Sequence, residues 1–95
     1  MFINQIPMTA KQYQKDATDY WTAGHRHHDA LLNGLSEECT EVVTAQREGS
    51  WEHLREELGD LLWYVTVLAD EHDIDLEDVM RVNIEKLQGR YGKKK

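Results

Sequence analysis

The sequence predicts an all-α protein built as a four-helix bundle, and three observations support this prediction. Apolar residues recur at helical spacing, and no stretch alternates polar and apolar residues for long enough to predict a strand. The only proline is Pro7, so helices can run without interruption through the rest of the chain. The 95 residues are enough for one compact domain and too few for two. We therefore expect four helices joined by short loops.

The first two predicted helices have recognisable start signals. Thr9 and Gln12 match a capping box, in which Thr9 is the N-cap and the Gln12 side chain reaches back to it. Asp29 is a suitable N-cap for the second helix. These signals predict helices at about residues 10–22 and 30–48.

The third and fourth predicted helices follow after short connections. Gly49 is a typical C-terminal stop for the second helix, and Ser50 is a typical N-cap for the third. Asp75 is in position to cap the fourth helix. The predicted limits are about residues 51–72 and 76–90.

Composition and charge exclude several classes of function. The chain has 11 Lys and Arg against 18 Asp and Glu, and this net charge of −7 disfavours binding to a nucleic acid polymer. The single cysteine, Cys39, excludes a disulfide framework. The longest apolar segment, Leu61–Ala69, is too short to span a membrane, and Met1–Met8 lacks the features of a signal peptide. We therefore expect a cytoplasmic protein without a membrane partner, with Lys93–Lys95 as a solvated tail.

An acidic motif occurs twice, as E-E-x-x-E on the second predicted helix and as E-E-x-x-D on the third, at an offset of 19 residues. On a helical wheel, Glu38 and Glu57 fall in the middle of the apolar stripes of their helices. Glu41 and Asp60 fall at the edges of the same stripes. The sequence therefore predicts that four carboxylates point toward the surfaces along which the two helices pack.

Inward-facing carboxylates are costly unless they are paired, protonated or bound to a cation. The arginines on these helices are Arg47 and Arg55, and both are poorly placed to neutralise the four acids. An oxygen-only ligand set favours Mg²⁺, or Mn²⁺ as a substitute, over zinc. The alternative is a solvated acidic face, which fits Glu37 and Glu56 because these two point sideways on the wheel. The repetition of the motif favours a divalent metal site.

Three polar residues share one face of the fourth predicted helix. Asn83, Lys86 and Arg90 follow one another at steps of three and four residues. Lys86 and Arg90 are suited to bind phosphate oxygens, and Asn83 can donate a hydrogen bond. An ordinary solvated flank explains the same spacing equally well. Because Mg²⁺ held by carboxylates usually recruits substrate phosphates, the three residues are candidates for substrate binding.

The two acidic motifs and the fourth predicted helix together resemble a known family. The motifs at 37–41 and 57–60, with the segments Asn83–Leu87 and Arg90-Tyr91, are similar to the MazG-type nucleoside triphosphate pyrophosphohydrolases. The resemblance covers residues 30–91, most of the chain. It implies the all-α NTP pyrophosphatase fold, assembly as a dimer or tetramer with sites near subunit interfaces, and hydrolysis of (d)NTP to (d)NMP and pyrophosphate.

The resemblance also implies roles for individual residues. The implied Mg²⁺ ligands are the four inward-facing acids, Glu38, Glu41, Glu57 and Asp60. Asn83 and Lys86 match residues that contact substrate phosphates, and Arg90 is a looser match. The mechanistic hypothesis is that a metal-activated water attacks the α-phosphorus and pyrophosphate leaves.

Several residues outside the acidic motifs and the fourth helix also carry predictions. Trp21 is the candidate stacking platform for the substrate base, although core packing also explains it. The loop His25–His28 is either an exposed connection or a lid that contacts substrate. Trp63 and Val67 face away from the main apolar stripe, which predicts a subunit contact. Gly59 is predicted to allow close helix packing.

Three alternative functions were weighed against the nucleotide pyrophosphohydrolase. Phosphoribosyl-ATP pyrophosphatase shares the scaffold and the acidic motifs, and the Asn83-x-x-Lys86 element argues for the MazG side. A di-iron carboxylate bundle requires Glu-x-x-His on two helices, a pattern that occurs nowhere in this sequence. The non-enzymatic alternative is a dimerisation module in which the metal only neutralises the acids. Such a module would bind metal without releasing pyrophosphate.

Overall fold

The computed structural model describes residues 7–24 and 27–92, and these residues form four α-helices. This confirms the predicted all-α class. Each helix end lies within two residues of its predicted limit. The helices are α1 (Ala10–Ala23), α2 (His28–Glu48), α3 (Trp51–Glu71) and α4 (Leu76–Tyr91).

Some sequence predictions concern residues outside the described ranges. They are His25 and Arg26 of the predicted loop, the basic tail Lys93–Lys95, and most of the N-terminal segment Met1–Met8. Within the described ranges, none of the helices combines the length and the apolar character needed to cross a membrane.

The starts of α1 and α2 differ in part from prediction. Thr9 is the N-cap of α1, and its Oγ1 accepts a hydrogen bond from the Gln12 backbone N–H at 3.1 Å. The Gln12 side chain does not return this bond, because its Nε2 donates to Asp16 Oδ1 at 3.0 Å. Asp29 was the predicted N-cap of α2, but His27 holds that position and Asp29 lies in the first helical turn. There its carboxylate still interacts favourably with the helix dipole.

A two-residue link connects α2 to α3. Gly49 adopts a left-handed conformation, with φ of 78°, and its N–H donates to the carbonyl oxygens of Ala45 and Gln46. A glycine is suited to this position because it has no Cβ to clash. Ser50 then caps α3, and its Oγ accepts from the His53 N–H at 3.2 Å. Both predicted boundary residues are confirmed, and the short link folds α3 back along α2.

The first turn of α4 is capped by a side chain from α1. Asp75 occupies the predicted N-cap position, but its side chain makes no capping hydrogen bond. Instead Gln14 Oε1 accepts from the Leu76 N–H at 2.7 Å. Gln14 Nε2 donates to the Ile74 carbonyl at 3.0 Å and to Asp70 Oδ1 at 3.3 Å. One amide side chain therefore fastens the start of α4 to α1.

The core lies where α1, α2 and α3 meet. Trp21, Leu31 and Val67, one from each helix, form its buried centre, and Trp63 packs against them. The Trp21 and Trp63 rings meet edge to face, 5.6 Å apart, and Trp63 Nε1 donates to the Ala17 carbonyl at 2.8 Å. The predicted subunit contact is wrong for Val67, which is buried within this single chain, whereas Trp63 is half-buried and its part in a subunit contact stays a prediction.

The close contact between α2 and α3 occurs at Gly34, not at Gly59. A Cβ at Gly34 would overlap the Tyr64 ring, whereas a Cβ at Gly59 would have no neighbour within 4 Å. Tyr64 also packs against Trp21 and Trp63, which limits how far its ring can move. The predicted role of Gly59 in close packing is therefore wrong.

Helix α4 packs against α1 and α3 but leaves most of its surface open. Leu76 is its only buried residue. Many of its apolar side chains are exposed in the single chain. They include Val79, Met80, Val82, Ile84, Leu87 and Tyr91.

Candidate metal centre

Three carboxylates from α2 and α3 converge on one point. Glu38, Glu57 and Asp60 each place an oxygen within 4.8 Å of the others. Residues 57 and 60 lie one turn apart and so share a face of α3, and α2 packs along that face. Glu38 is buried, Glu57 is half-buried and Asp60 is exposed, so the cluster runs from the interior to the surface.

Burial and mutual repulsion perturb these carboxyl groups. Burial, a hydrogen bond with Glu57 and the charges of Glu57, Asp60 and Glu41 raise the pKa of Glu38 from 4.5 to about 7. The pKa of Asp60 is also raised, first by partial burial and then by the charges of Glu57 and Glu56. Without a cation, Glu38 is thus partly protonated near neutral pH.

The arrangement fits a hard divalent cation. Glu38 is only 8% exposed, and its Oε2 is buried without a hydrogen-bond partner among the described residues. A buried polar atom of this kind is costly unless something binds it. The donors are all carboxylate oxygens, the ligands that Mg²⁺ and Mn²⁺ prefer. The fourth predicted ligand, Glu41, lies outside the three-residue group and is exposed, although it is near enough to raise the pKa of Glu38.

A histidine that the sequence argument overlooked contacts the cluster. His53 Nε2 lies 3.0 Å from Glu57 Oε2, and His53 Nδ1 lies 3.1 Å from Glu48 Oε1. The hydrogen bond with Glu48, and then that with Glu57, raises the pKa of His53. The available signal was the spacing of four residues between His53 and Glu57, which places both on one face of a helix.

A groove lined by aromatic residues opens beside Asp60. It has a volume of about 500 Å³ and lies between α1 and α3, with Tyr13, Tyr20 and Trp63 along it and Gly59 next to Asp60. Burial and then the charge of Asp60 raise the pKa of Tyr13, which shows that the phenol is close to this carboxylate. The groove therefore joins the acidic cluster to an aromatic surface.

Trp21, the residue predicted to stack on the base, is placed in the core. It is 7% exposed and packs edge to face against both Trp63 and Tyr64. In this position the indole ring offers no open face to a ligand. Trp21 is therefore a core residue, which is the second of its two interpretations. Its neighbour Tyr20, which is 74% exposed, lines the groove instead.

The candidate phosphate-binding residues are not brought to the acids within the described part of the chain. Asn83, Lys86 and Arg90 are all exposed on α4. Asn83 and Lys86 line a second groove, of about 570 Å³, that includes Leu62 of α3. No hydrogen bond or ion pair described for these ranges links the three residues to the acidic cluster. Their role in binding phosphate stays a prediction.

Comparison with known proteins relates the chain to nucleotide pyrophosphatases. The family model described as the MazG nucleotide pyrophosphohydrolase domain matches residues 26–94. Among curated proteins, the phosphoribosyl-ATP pyrophosphatase of Bacillus cereus (strain AH820) is 40% identical over 65 residues, which are 68% of this chain and 57% of the relative. That of Bacillus thuringiensis (strain Al Hakam) is 42% identical over 52 residues, which are 55% of this chain and 49% of the relative. The chain thus spans about half the length of these relatives, and no solved structure matches it significantly.

Proposed function

This chain belongs to the MazG nucleotide pyrophosphohydrolase family, and from that premise we propose that it hydrolyses ribo- or deoxynucleoside triphosphates to the monophosphate and pyrophosphate. The observation that carries the proposal is the convergence of Glu38, Glu57 and Asp60 around a buried, unpaired carboxylate oxygen. We assign Mg²⁺ as the cation, with Mn²⁺ as a substitute. We place the activity in the cytoplasm, since the single Cys39 suits a reducing compartment.

The acids provide the cation site of the proposed reaction. Glu38, Glu57 and Asp60 would hold the cation, and Glu41 lies near enough to affect the pKa of Glu38. A bound divalent cation supplies positive charge to the triphosphate and a more acidic water. In the hydrolysis, a water oxygen bonds to the α-phosphorus, the bond from that phosphorus to the bridging oxygen breaks, and pyrophosphate leaves.

The aromatic groove is the proposed site for the nucleoside. Tyr13, Tyr20 and Trp63 present ring surfaces beside Asp60, so a base in the groove would have its phosphates next to the acids. The largely exposed Tyr20 is the side chain in the groove that is easiest to test. Replacing Tyr20 with Ala is expected to raise KM for the triphosphate about tenfold and to leave Mg²⁺ affinity unchanged.

A pyrophosphate-release assay tests the proposed activity. The substrates are canonical and modified triphosphates, each with Mg²⁺, with Mn²⁺ and with EDTA. We expect release that depends on the cation and is lost in Glu38→Gln. The matched control is Glu37→Gln, which removes the exposed neighbouring carboxylate and should retain activity. No release from any substrate, or full activity in Glu38→Gln, would contradict the proposal. Cation binding without release would indicate the non-catalytic module.

Phosphoribosyl-ATP hydrolysis is the second candidate, because the curated relatives carry that name. The reaction breaks the same kind of phosphoanhydride bond and needs the same cation site. Including phosphoribosyl-ATP in the substrate panel separates the two candidates. A kcat/KM for this compound above that of every nucleoside triphosphate would favour the second candidate.

Self-association as a dimer or tetramer is proposed from the open apolar face of α4. A contiguous exposed apolar surface commonly marks an interface, and a second chain there would bring protein next to Asn83 and Lys86. Ile84→Lys is expected to lower the mass measured by sedimentation, with Glu85→Lys as the control on the same helix. An unchanged mass in Ile84→Lys, or a monomeric parent protein, would contradict this proposal.

A further inference from the structure

His53 lies between two carboxylates and takes no part in the reaction as described above. Its Nε2 is 3.0 Å from Glu57 Oε2, and its Nδ1 is 3.1 Å from Glu48 Oε1. Glu48 is the last residue of α2, and Glu57 is one of the three converging acids. The ring therefore connects the end of α2 to the carboxylate that α3 contributes to the cluster.

Both the backbone and the side chain of His53 are held by hydrogen bonds. Its backbone N–H donates to Ser50 Oγ at 3.2 Å, which places it in the first turn of α3. Both ring nitrogens are engaged, so the ring cannot turn over without losing two contacts. A carboxylate that is held at one oxygen keeps lone pairs on both oxygens for a cation. Glu57 can therefore be oriented by His53 and still serve as a ligand.

We infer that His53 is a positioning residue, which orients the Glu57 carboxylate toward Glu38 and Asp60 and is itself oriented by Glu48. The inference rests on the proposed function, because the orientation of Glu57 matters only if the cluster binds a cation. Hydrogen bonds that hold metal ligands commonly contribute a factor of 10 to 100 to metal affinity.

A second histidine pair provides a matched control. His28 Nδ1 lies 2.7 Å from Glu71 Oε1 and links the start of α2 to the end of α3. This pair joins the same two helices as the His53 pair, but it contacts none of the three converging acids. If both histidines only tie the helices together, their substitutions should have similar effects.

The experiment compares two neutral substitutions at each histidine. The two variants of one histidine therefore carry the same charge and differ in whether the side chain can donate a hydrogen bond. His53→Gln keeps a donor that can reach a side chain four residues later, whereas His53→Phe keeps a ring without a donor. Calorimetric titration with Mg²⁺ alone is expected to give a Kd about tenfold higher for His53→Phe than for His53→Gln. His28→Gln and His28→Phe should bind Mg²⁺ equally. If His53→Phe does not fold, His53→Met replaces it as the variant without a donor.

Two outcomes would overturn the inference, and they are distinguishable. If the parent protein binds Mg²⁺ and the Gln and Phe variants of His53 have the same Kd, His53 only ties the helices and the proposed function is unaffected. If the parent protein binds neither Mg²⁺ nor Mn²⁺, the cation site and the inference fail together. The EPR spectrum of bound Mn²⁺ is a second readout. It should be alike in the parent and His53→Gln and different in His53→Phe.

Discussion

The α2–α3 pair and helix α4 differ in how far the chain covers their side chains. In the pair, Leu31, Ala45 and Val67 are buried, and so is the carboxylate of Glu38. In α4 only Leu76 is buried, and most of the other apolar residues face outward. The ends of these helices lie within two residues of the predicted limits, so the difference does not arise from helix formation. It arises from the extent of the packing: α2 and α3 contact each other extensively, whereas α4 contacts α1 and α3 only over short stretches.

This difference separates the two halves of the proposed site. Helix α3 contacts α1, α2 and α4, and its acids meet Glu38 within one chain. Helix α4 has short contacts with α1 and α3, and its Asn83 and Lys86 line a groove to which none of the three acids contributes. The proposed cation site is thus built by local packing of a helical hairpin. The proposed phosphate contacts would depend on surfaces that a single chain leaves open.

The largest expected effect tests whether the two halves act separately. Glu57→Gln should lower kcat/KM at least about 100-fold and abolish Mg²⁺ binding, since it removes a direct ligand. Lys86→Gln should raise KM for the triphosphate and leave calorimetric Mg²⁺ affinity unchanged. Loss of Mg²⁺ binding in Lys86→Gln would show that α4 belongs to the cation site. The proposed division between a cation site on α2 and α3 and phosphate contacts on α4 would then be wrong.

The next effect concerns the stability of the α2–α3 pair without cations. The pKa of Glu38 is raised from 4.5 to about 7 on folding, so the folded chain binds this proton more tightly than the unfolded chain. The resulting stability is fully present below about pH 4.5 and is lost as the pH rises through about 7. The raised pKa values of Asp60 and His53 act in the same direction.

Thermal unfolding in EDTA measures this dependence. Tm should fall as the pH is raised from 4.5 to 8, and Glu38→Gln should flatten the fall. Mg²⁺ should restore stability at the upper end, because it binds the ionised cluster only in the folded chain. A Tm that rises over this range in EDTA would contradict the assignment of a strained acidic cluster.

The smallest expected effect compares two glycines, one in each region. Gly34→Ala places a methyl group against Tyr64, whose ring is held by two tryptophans, so we expect a loss of about 1 kcal/mol. Gly89→Ala on α4 meets no atom within 4 Å and should gain about 0.5–1 kcal/mol from helix propensity. Urea unfolding of both variants measures the difference. Effects of the same sign would mean that the two regions pack alike.

Local signals in the sequence were enough to predict the helices and the convergence of three acids. Thr9, Gly49 and Ser50 act through neighbours in the chain, so their positions alone mark helix ends. The acidic motif could be interpreted because helical periodicity places Glu38 and Glu57 in apolar stripes. These predictions required no knowledge of how distant segments meet.

Features that depend on tertiary contacts were not predictable in the same way. Gln14 caps α4 across 62 residues, and no local pattern indicates such a contact. Trp21 was ambiguous because an aromatic residue at a helix end suits a core and a ligand equally well, and only packing decides. His53 is different, because its spacing of four residues from Glu57 is local, whereas its second contact, with Glu48 on α2, depends on how the two helices pack.

The two-residue link between α2 and α3 leads to an expectation about the order in which the chain folds. Because only Gly49 and Ser50 separate these helices, their mutual contacts close at low entropic cost and should form early. In that early contact the ionised carboxylates of Glu38 and Glu57 would repel each other, as they do in the folded chain. Acid or divalent cations that relieve this repulsion should therefore speed refolding, and the kinetic barrier of this small protein would respond to magnesium.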